Sequence, residues 1–248
     1  MKLAIQVLDR AFDILERVAA APETPRSLGE IADQTKLHPA TCARILKDLV
    51  ARGYVEQIAH KKGYILGPLA YALSAKGAYR RDLSNICELP LSSLAKKAGQ
   101  SVILTVLSQG RRIVICELDS GSNWQIQDQP AQTFDPYQTA TGRLLLAFME
   151  DDHLTDFIQN RGLPGSCWPE IQSESQLRKT LEKIRNDGSF ILSKSSEIVG
   201  LAWPIQQRGQ VIAAMGIPLP SSQLTRETRA TVLSAMKETA QAIEKKLN

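Results

Sequence analysis

The residues able to do covalent chemistry are few and lie apart. Nucleophilic catalysis needs a nucleophile, a base within hydrogen-bond reach and a group that orients the base. The three histidines are His38, His60 and His153. The first two fall in a basic stretch and the third in a polar helical run, so no triad can be assembled from them. There is no Gly-rich phosphate loop and no GxGxxG following a strand. The four cysteines, Cys42, Cys87, Cys116 and Cys167, make no CxxC pair and have no histidine at ligand spacing. That pattern argues for free thiols in a reducing compartment and against structural zinc. The sequence therefore argues against an enzyme and calls for no metal and no cofactor.

The remaining chemistry is recognition. Between Lys36 and Lys62 there are six Lys/Arg against two acids, Asp48 and Glu56, in a chain whose formal net charge is only +4. Basic groups concentrated in this way suit contacts to phosphates. Candidate DNA contacts are Arg26 and Ser27, then His38, Ala40, Thr41, Arg44 and Lys47, then His60, Lys61 and Lys62.

The elements that must hold these residues can be read from capping and periodicity. Ser27 followed three residues later by Glu30 is a capping box that opens a short amphipathic helix from Leu28. Thr35 to His38 breaks it, and Pro39 suits the first position of a second helix, where its missing N–H is no loss. From Pro39 to Arg52 the apolar positions Cys42, Ile45, Leu46, Leu49 and Val50 repeat at helical spacing, with Gly53 as the stop. Thr41, Arg44 and Lys47 fall outside that stripe. Residues 54–58 and 64–66 then read as strands of a hairpin with a basic tip, Ala59 to Gly63. An earlier apolar helical face, Ile5 to Ala20, supplies the first helix of the core, and Pro22 to Arg26 the connection. Together these make a winged helix-turn-helix whose second helix enters a major groove of double-stranded DNA while the wing lies along phosphates or in the minor groove. The plain alternative is a protein-interaction module with a solvated basic face.

At 248 residues the chain exceeds what a winged helix needs, so a second domain is expected. No signal-peptide core and no apolar run of membrane-spanning length occurs, so a soluble protein of the cytoplasm with no membrane partner is expected. The reading divides the chain into 1–67, the DNA-binding domain, 68–82, a linker helix, and 83–248, an effector-binding and oligomerisation domain. The linker, Pro68 to about Arg81, has an apolar edge of Leu69, Ala70, Leu73, Ala75 and Ala78 suited either to a dimer contact or to packing on its own domain. A helix from Leu83 to Ala98 contains Pro90, which should kink or split it. Strands follow at 102–107 and 113–118 around a turn Gln109-Gly110-Arg111-Arg112, with a further strand near Trp124 to Gln127. Helices at 139–149, 151–159 and 176–186, strands near 190–193, 199–205 and 211–218, and a last helix from about 225 to 246 complete the order. An α+β fold results, an antiparallel sheet with helices packed on it.

Four stretches together resemble the IclR family of bacterial transcriptional regulators: Ile5-Gln6-Val7-Leu8-Asp9-Arg10-Ala11-Phe12-Asp13-Ile14-Leu15, Leu28-Gly29-Glu30-Ile31-Ala32, Ala51-Arg52-Gly53-Tyr54-Val55 and Tyr64-Ile65-Leu66-Gly67. The resemblance covers nearly the whole chain. It implies an N-terminal winged helix, a linker helix and a GAF-like C-terminal domain that binds a small-molecule effector. It also implies a homodimer or dimer of dimers on a palindromic operator.

The segment Asp135 to Arg143, leading into an apolar helix, is the place for an effector, because unpaired amides at a helix start favour an acceptor oxygen and Gly142 permits close approach. It resembles the family's small-residue segment followed by Gly-Lys, which implies a pocket at Ala140 and Thr141, flanked by Tyr137, Thr139 and Gly142. The alternative is that Thr139 merely caps and Gly142 merely packs. Further pocket candidates are Ser195, Gly200, Ala202, Trp203, Gly216 and Pro218. Here the chain departs from the family pattern: Gly200 stands where members carry a cysteine, and Gly216-Ile217-Pro218 replaces a Ser-x-Ser run. Lost hydroxyls, gained space and the aromatic residues Trp203, Trp124 and Tyr137 together suggest a larger, partly aromatic organic acid. Against this stands a DNA-binding dimer whose C-terminal domain only oligomerises.

Overall fold

A computed structural model describes residues 5–20, 24–58, 63–76, 81–120, 135–193 and 197–248. The expected strand around Trp124, the wing tip with His60, Lys61 and Lys62, and Ser195 lie outside these residues. The chain divides into two compact units, Met1–Tyr79 and Arg80–Asn248. Among the described residues no helix is long and apolar enough to cross a membrane.

In the first unit α1 (Gln6–Ala19), α2 (Leu28–Thr35) and α3 (Pro39–Ala51) enclose a small core of Ile14, Val18, Ile31, Ala32, Cys42, Ile45, Leu46, Leu49 and Val55. The capping box at α2 is complete: the Glu30 N–H donates to Ser27 Oγ at 3.3 Å, and the Ser27 N–H donates to the Glu30 carboxylate at 2.7 Å. Pro39 occupies the first turn of α3 and His38 caps it, its Nδ1 accepting the Ala40 N–H at 3.3 Å. The end of α3 is set by Gly53, whose φ of 76° is a left-handed conformation that glycine adopts without steric cost. β1 (Val55–Gln57) and β2 (Tyr64–Leu66) pair antiparallel as the wing, and α4 (Pro68–Lys76) follows. The connection before α2 is more than a loop. Arg26 bridges Tyr64 through two backbone hydrogen bonds, of 3.0 and 2.8 Å.

The apolar face of α1 joins the core only in part. Ile14 and Val18 are buried, but Ile5, Val7, Leu8 and Phe12 are 65 %, 53 %, 50 % and 60 % exposed. Leu69, Tyr71 and Leu73 of α4 are exposed as well. A core this small can cover only one side of so wide a face.

The second unit is a five-stranded antiparallel sheet in the order β4-β3-β7-β6-β5, built from β3 (Val102–Ser108), β4 (Arg111–Leu118), β5 (Phe190–Ser193), β6 (Ile198–Gln207) and β7 (Gln210–Pro220). Helices α5 (Arg81–Ala98) and α9 (Arg226–Leu247) cover one face, packing Leu91, Leu94, Met236 and Ile243 on Leu104, Leu201, Met215 and Ile217. The other face carries α6 (Ala140–Ala147), α7 (Asp151–Arg161) and α8 (Glu174–Asp187), with Leu144, Leu146, Leu177 and Leu181 packed on Ala202 and Ala214. Strand alternation sends successive residues to opposite faces, so β6 and β7 show their large residues to α5 and α9 and their small ones to α6. Pro90 lies inside the single helix α5 and does not divide it.

The β3–β4 turn is shorter than expected. Only Gln109 and Gly110 form it, with φ of 50° and 70°, as a two-residue hairpin of the type that matches strand twist. Arg111 and Arg112 therefore belong to β4, paired with Ser108 and Leu107.

Candidate functional site

On α3 the apolar stripe of Cys42, Ile45, Leu46 and Leu49 faces the core. His38, Ala40, Arg44 and Lys47 are exposed and Thr41 is half-buried. Residues 40, 44 and 47 repeat at helical spacing, so they share one outward face at the N-terminal half of the helix. Ser27 is exposed, but its N–H and hydroxyl both go to Glu30 at 2.7 and 2.9 Å, while Arg26 is half-buried and tied to Tyr64. The Ser27 N–H, and after it the hydroxyl, hold the Glu30 carboxyl below the usual carboxylate range. A negative charge thus already sits at the start of α2, where a phosphate contact was expected.

In the second unit, Thr139, Ala140, Thr141, Gly142, Gly200 and Gly216 come together where α6 meets the sheet. Thr139 is the N-cap, its hydroxyl accepting the Gly142 N–H at 3.1 Å. Ala140 and Thr141 are 6 % and 2 % exposed, and among the described residues neither of their N–H groups has an acceptor. Small residues seat this helix start. A Cβ on Gly142 would overlap the backbone of Pro136, one on Gly200 would lie 3.2 Å from the Ala140 Cβ, and one on Gly216 would lie 2.6 Å from Thr141 Cγ2. Ala202 pairs with Gly216 and Pro218 with Gly200 on the same strands. The room left by these small residues is occupied by Ala140 and Thr141, which corrects the expectation that it enlarges a pocket.

Two aromatic candidates go elsewhere. Trp203 pairs with Met215 and packs in the cluster under α5 and α9, on the face away from α6. Tyr137 is 2 % exposed, donates its hydroxyl to the Gly162 carbonyl at 3.1 Å and meets Phe157 and Trp168 edge-on at 5.4 and 6.5 Å between centroids. It is a core residue rather than a pocket wall, and burial, with Asp135 beside it, pushes its phenol up to about 12.

Two arginines were missed by sequence reasoning. Arg143 is 5 % exposed; its Nε–H donates to the Tyr137 carbonyl at 2.7 Å, its Nη2 to Cys167 at 2.9 Å, and its guanidinium lies 3.8 Å from the Trp168 ring centroid. It clamps the turn that precedes α6. Arg112 is 4 % exposed and donates its Nε–H to Thr141 Oγ1 at 2.9 Å. Burial pulls each guanidinium down to about 10, for Arg112 against the opposing pull of Glu117 and for Arg143 against Cys167, Glu170 and Asp135. The signal for Arg112 was the Gln109-Gly110 pair: a two-residue turn puts it in register with Leu107, on the face toward α6.

Burial pushes the thiols of Cys42, Cys87 and Cys116 up, Cys87 to about 12 with Cys116 adding to it, and a raised thiol is a poor nucleophile. Among the described residues no cluster of acids, histidines or cysteines could hold a metal ion.

The family model of the IclR helix-turn-helix domain matches residues 7–59, and that of the bacterial transcriptional regulator IclR C-terminal domain matches residues 76–245. The chain belongs to the IclR family. It is an IclR-family transcriptional regulator with a DNA-binding helix-turn-helix, and the family is not one of enzymes. Relatives include the HTH-type transcriptional regulator KdgR of Escherichia coli strain K12, 24 % identical over 88 % of this chain and 83 % of that protein. The transcriptional repressor IclR of the same strain is 23 % identical over 94 % of this chain and 86 % of its own length. Among solved structures, the IclR transcriptional regulator from Alicyclobacillus acidocaldarius superposes with a TM-score of 0.73 at 21 % identity, over 97 % of this chain and 98 % of that one. An IclR homolog from Microbacterium hydrocarbonoxydans complexed with 4-hydroxybenzoate gives 0.71 at 20 % identity, over the same shares. The IclR-type architecture, an N-terminal helix-turn-helix followed by helices on an antiparallel sheet, agrees with the order expected from the sequence.

Proposed function

We propose that this IclR-family protein acts in the cytoplasm as a homodimer, or as a pair of dimers, on a palindromic operator, and that a small organic acid bound in residues 83–248 changes its DNA affinity or assembly. The DNA-binding domain is taken as residues 1–67 and the linker as 68–82. In this reading Arg44, Lys47, Ala40 and Thr41 meet base edges and backbone, with His38, Arg26 and Ser27 beside them and His60, Lys61 and Lys62 on the wing. The exposed Val7, Leu8 and Phe12 of α1, with Leu69, Tyr71 and Leu73 of α4, support a contact between copies, since single domains rarely leave so many large apolar side chains in water. A two-fold dimer presents two α3 helices to two half-sites, which an inverted repeat satisfies.

The observation that carries the effector half is the pair of buried amides of Ala140 and Thr141 without acceptors, at the positive end of α6. A buried N–H is almost always bonded, and a carboxylate fits two of them at a helix start. Gly142, Thr139, Gly200, Ala202 and Gly216 support this position by packing around it, and Pro218 pairs with Gly200. The 4-hydroxybenzoate complex of a relative makes an aromatic acid a fair first probe. Selection of bound sequences from random DNA should enrich inverted repeats, and an aromatic or short 2-oxo acid should raise the melting temperature. A ligand at 100 times its Kd stabilises by about 2.7 kcal/mol. Enrichment of unpaired half-sites would refute the dimeric reading, and indifference to every acid would favour a C-terminal domain that only oligomerises.

A further inference from the structure

Thr141 is held on two sides. Its methyl lies over Gly216, where an added Cβ would come within 2.6 Å, and its Oγ1 accepts the Arg112 Nε–H at 2.9 Å. A hydroxyl that accepts a guanidinium N–H must send its own hydrogen elsewhere. Threonines inside helices can return it to the carbonyl four residues back. Thr35, Thr155, Thr180 and Thr239 do so, to Ile31, Asp151, Gln176 and Ala235 at 2.7 to 2.8 Å. Thr141 does not. The equivalent carbonyl, that of Tyr137, receives the Arg143 Nε–H, and among the described residues the Thr141 hydroxyl donates to nothing although the residue is 2 % exposed. A buried donor left in this state is costly unless something else accepts from it. The same helix start holds the two amides described above, and a buried guanidinium lies against it.

Resting on the effector reading, we propose that the Thr141 hydroxyl is a third donor to an oxyanion of the effector and that Arg112 is the residue that turns it there. The buried charge of Arg112 adds to the positive end of α6, so the pair also sets the charge of the effector: an anion is favoured and its neutral amide refused. The orientation of the hydroxyl needs only the Nε–H, so any further contact that the guanidinium makes leaves it unchanged.

Calorimetry on the full chain with 4-hydroxybenzoate, pyruvate and their neutral amides tests this. The parent should bind one acid and not its amide. Thr141→Val keeps the shape and removes the hydroxyl, so that acid should bind about tenfold more weakly, while Thr141→Ser stays near the parent. Arg112→Met should narrow the preference of acid over amide, a ratio that simple loosening of the fold would not alter. If that variant does not fold, Arg112→Gln removes the charge and keeps an N–H at the place of Nε. The acid preference should then fall as well, while adding Thr141→Val should still weaken binding about tenfold. Undiminished binding by Thr141→Val would overturn the hydroxyl's role. An unchanged acid-to-amide ratio in Arg112→Met or Arg112→Gln, or the full Thr141→Val effect in the Arg112→Met background, would overturn that of Arg112. Failure of the parent to bind either acid would instead overturn the effector reading, and this proposal with it.

Discussion

Gly216 of β7 lies under Thr141 of α6, so that a Cβ on the glycine would come within 2.6 Å of the threonine Cγ2. The helix start is therefore seated on the sheet by an absence of side chain: Gly200 and Gly216 set its height above the strands, and Gly142 lets the preceding turn close against it.

Their alanine variants should be graded. Gly142→Ala meets the Pro136 backbone, which cannot turn aside, and should cost most. Gly216→Ala presses on a side chain and should cost about 1–3 kcal/mol, while Gly200→Ala, 3.2 Å from the Ala140 Cβ, should cost least. Urea unfolding measures the order; equal costs would mean that α6 shifts freely.

Arg44→Ala should weaken specific DNA binding by about 1–3 kcal/mol if its exposed side chain reads a base. Lys47→Ala should weaken binding on all sequences alike and lower the salt slope by about one. Anisotropy titrations on a selected site and on unrelated DNA at several salt concentrations separate the two, and an unaltered affinity in Arg44→Ala would take that residue out of the interface.

Ser27→Ala should cost about 1 kcal/mol through loss of the cap and should leave the salt slope of DNA binding as it was, because the Ser27 groups are already engaged by Glu30. The Glu30 carboxyl is held low in the folded state, so its contribution is present above the unfolded carboxylate range and fades as pH falls through its folded value. In Glu30→Gln that acid-side loss should vanish, which melting curves across pH would reveal.

Tyr137→Phe should cost about 1 kcal/mol by deleting the bond to the Gly162 carbonyl. The phenol is raised from 10.0 to about 12 in the fold, so the folded state keeps its proton where the unfolded state loses it. Stability from this source is full below pH 10 and declines between about 10 and 12. Alkaline unfolding of the variant should lack that part of the decline; identical profiles would contradict it.

Much of the architecture was legible because it is written in short-range chemistry. Ser27 with Glu30, Pro39 with its neighbours, and Gly188 ending α8 at φ 66° each act within one helical turn. The strands were legible from β-branched runs. The effector site was less so, for a different reason in each case. Arg112 was hidden by one question of turn length, which decides whether a charged residue lies in solvent or in the sheet. Trp203 was assigned by proximity along the chain to Gly200 and Ala202, yet alternation turns it to the other face. The small residues of β6 and β7 were read as room for a ligand, because sequence shows what a residue lacks and not which neighbour moves in. Tyr137 is likewise distinguished from a pocket wall only by Phe157, Trp168 and Gly162, none of which is close to it in sequence.

The backbone pair between Arg26 and Tyr64 has a consequence for behaviour at high concentration. A hairpin edge offers unpaired N–H and C=O groups on which a foreign strand can assemble. β2 is flanked by β1 on one side and by Arg26 on the other, so its outer edge is already closed at Tyr64. The edge left open is β1, only three residues long, with an exposed Glu56 at its centre. A short edge carrying a charge is a poor template for aggregation, and the wing can thus be offered to a partner without inviting a second chain to extend it.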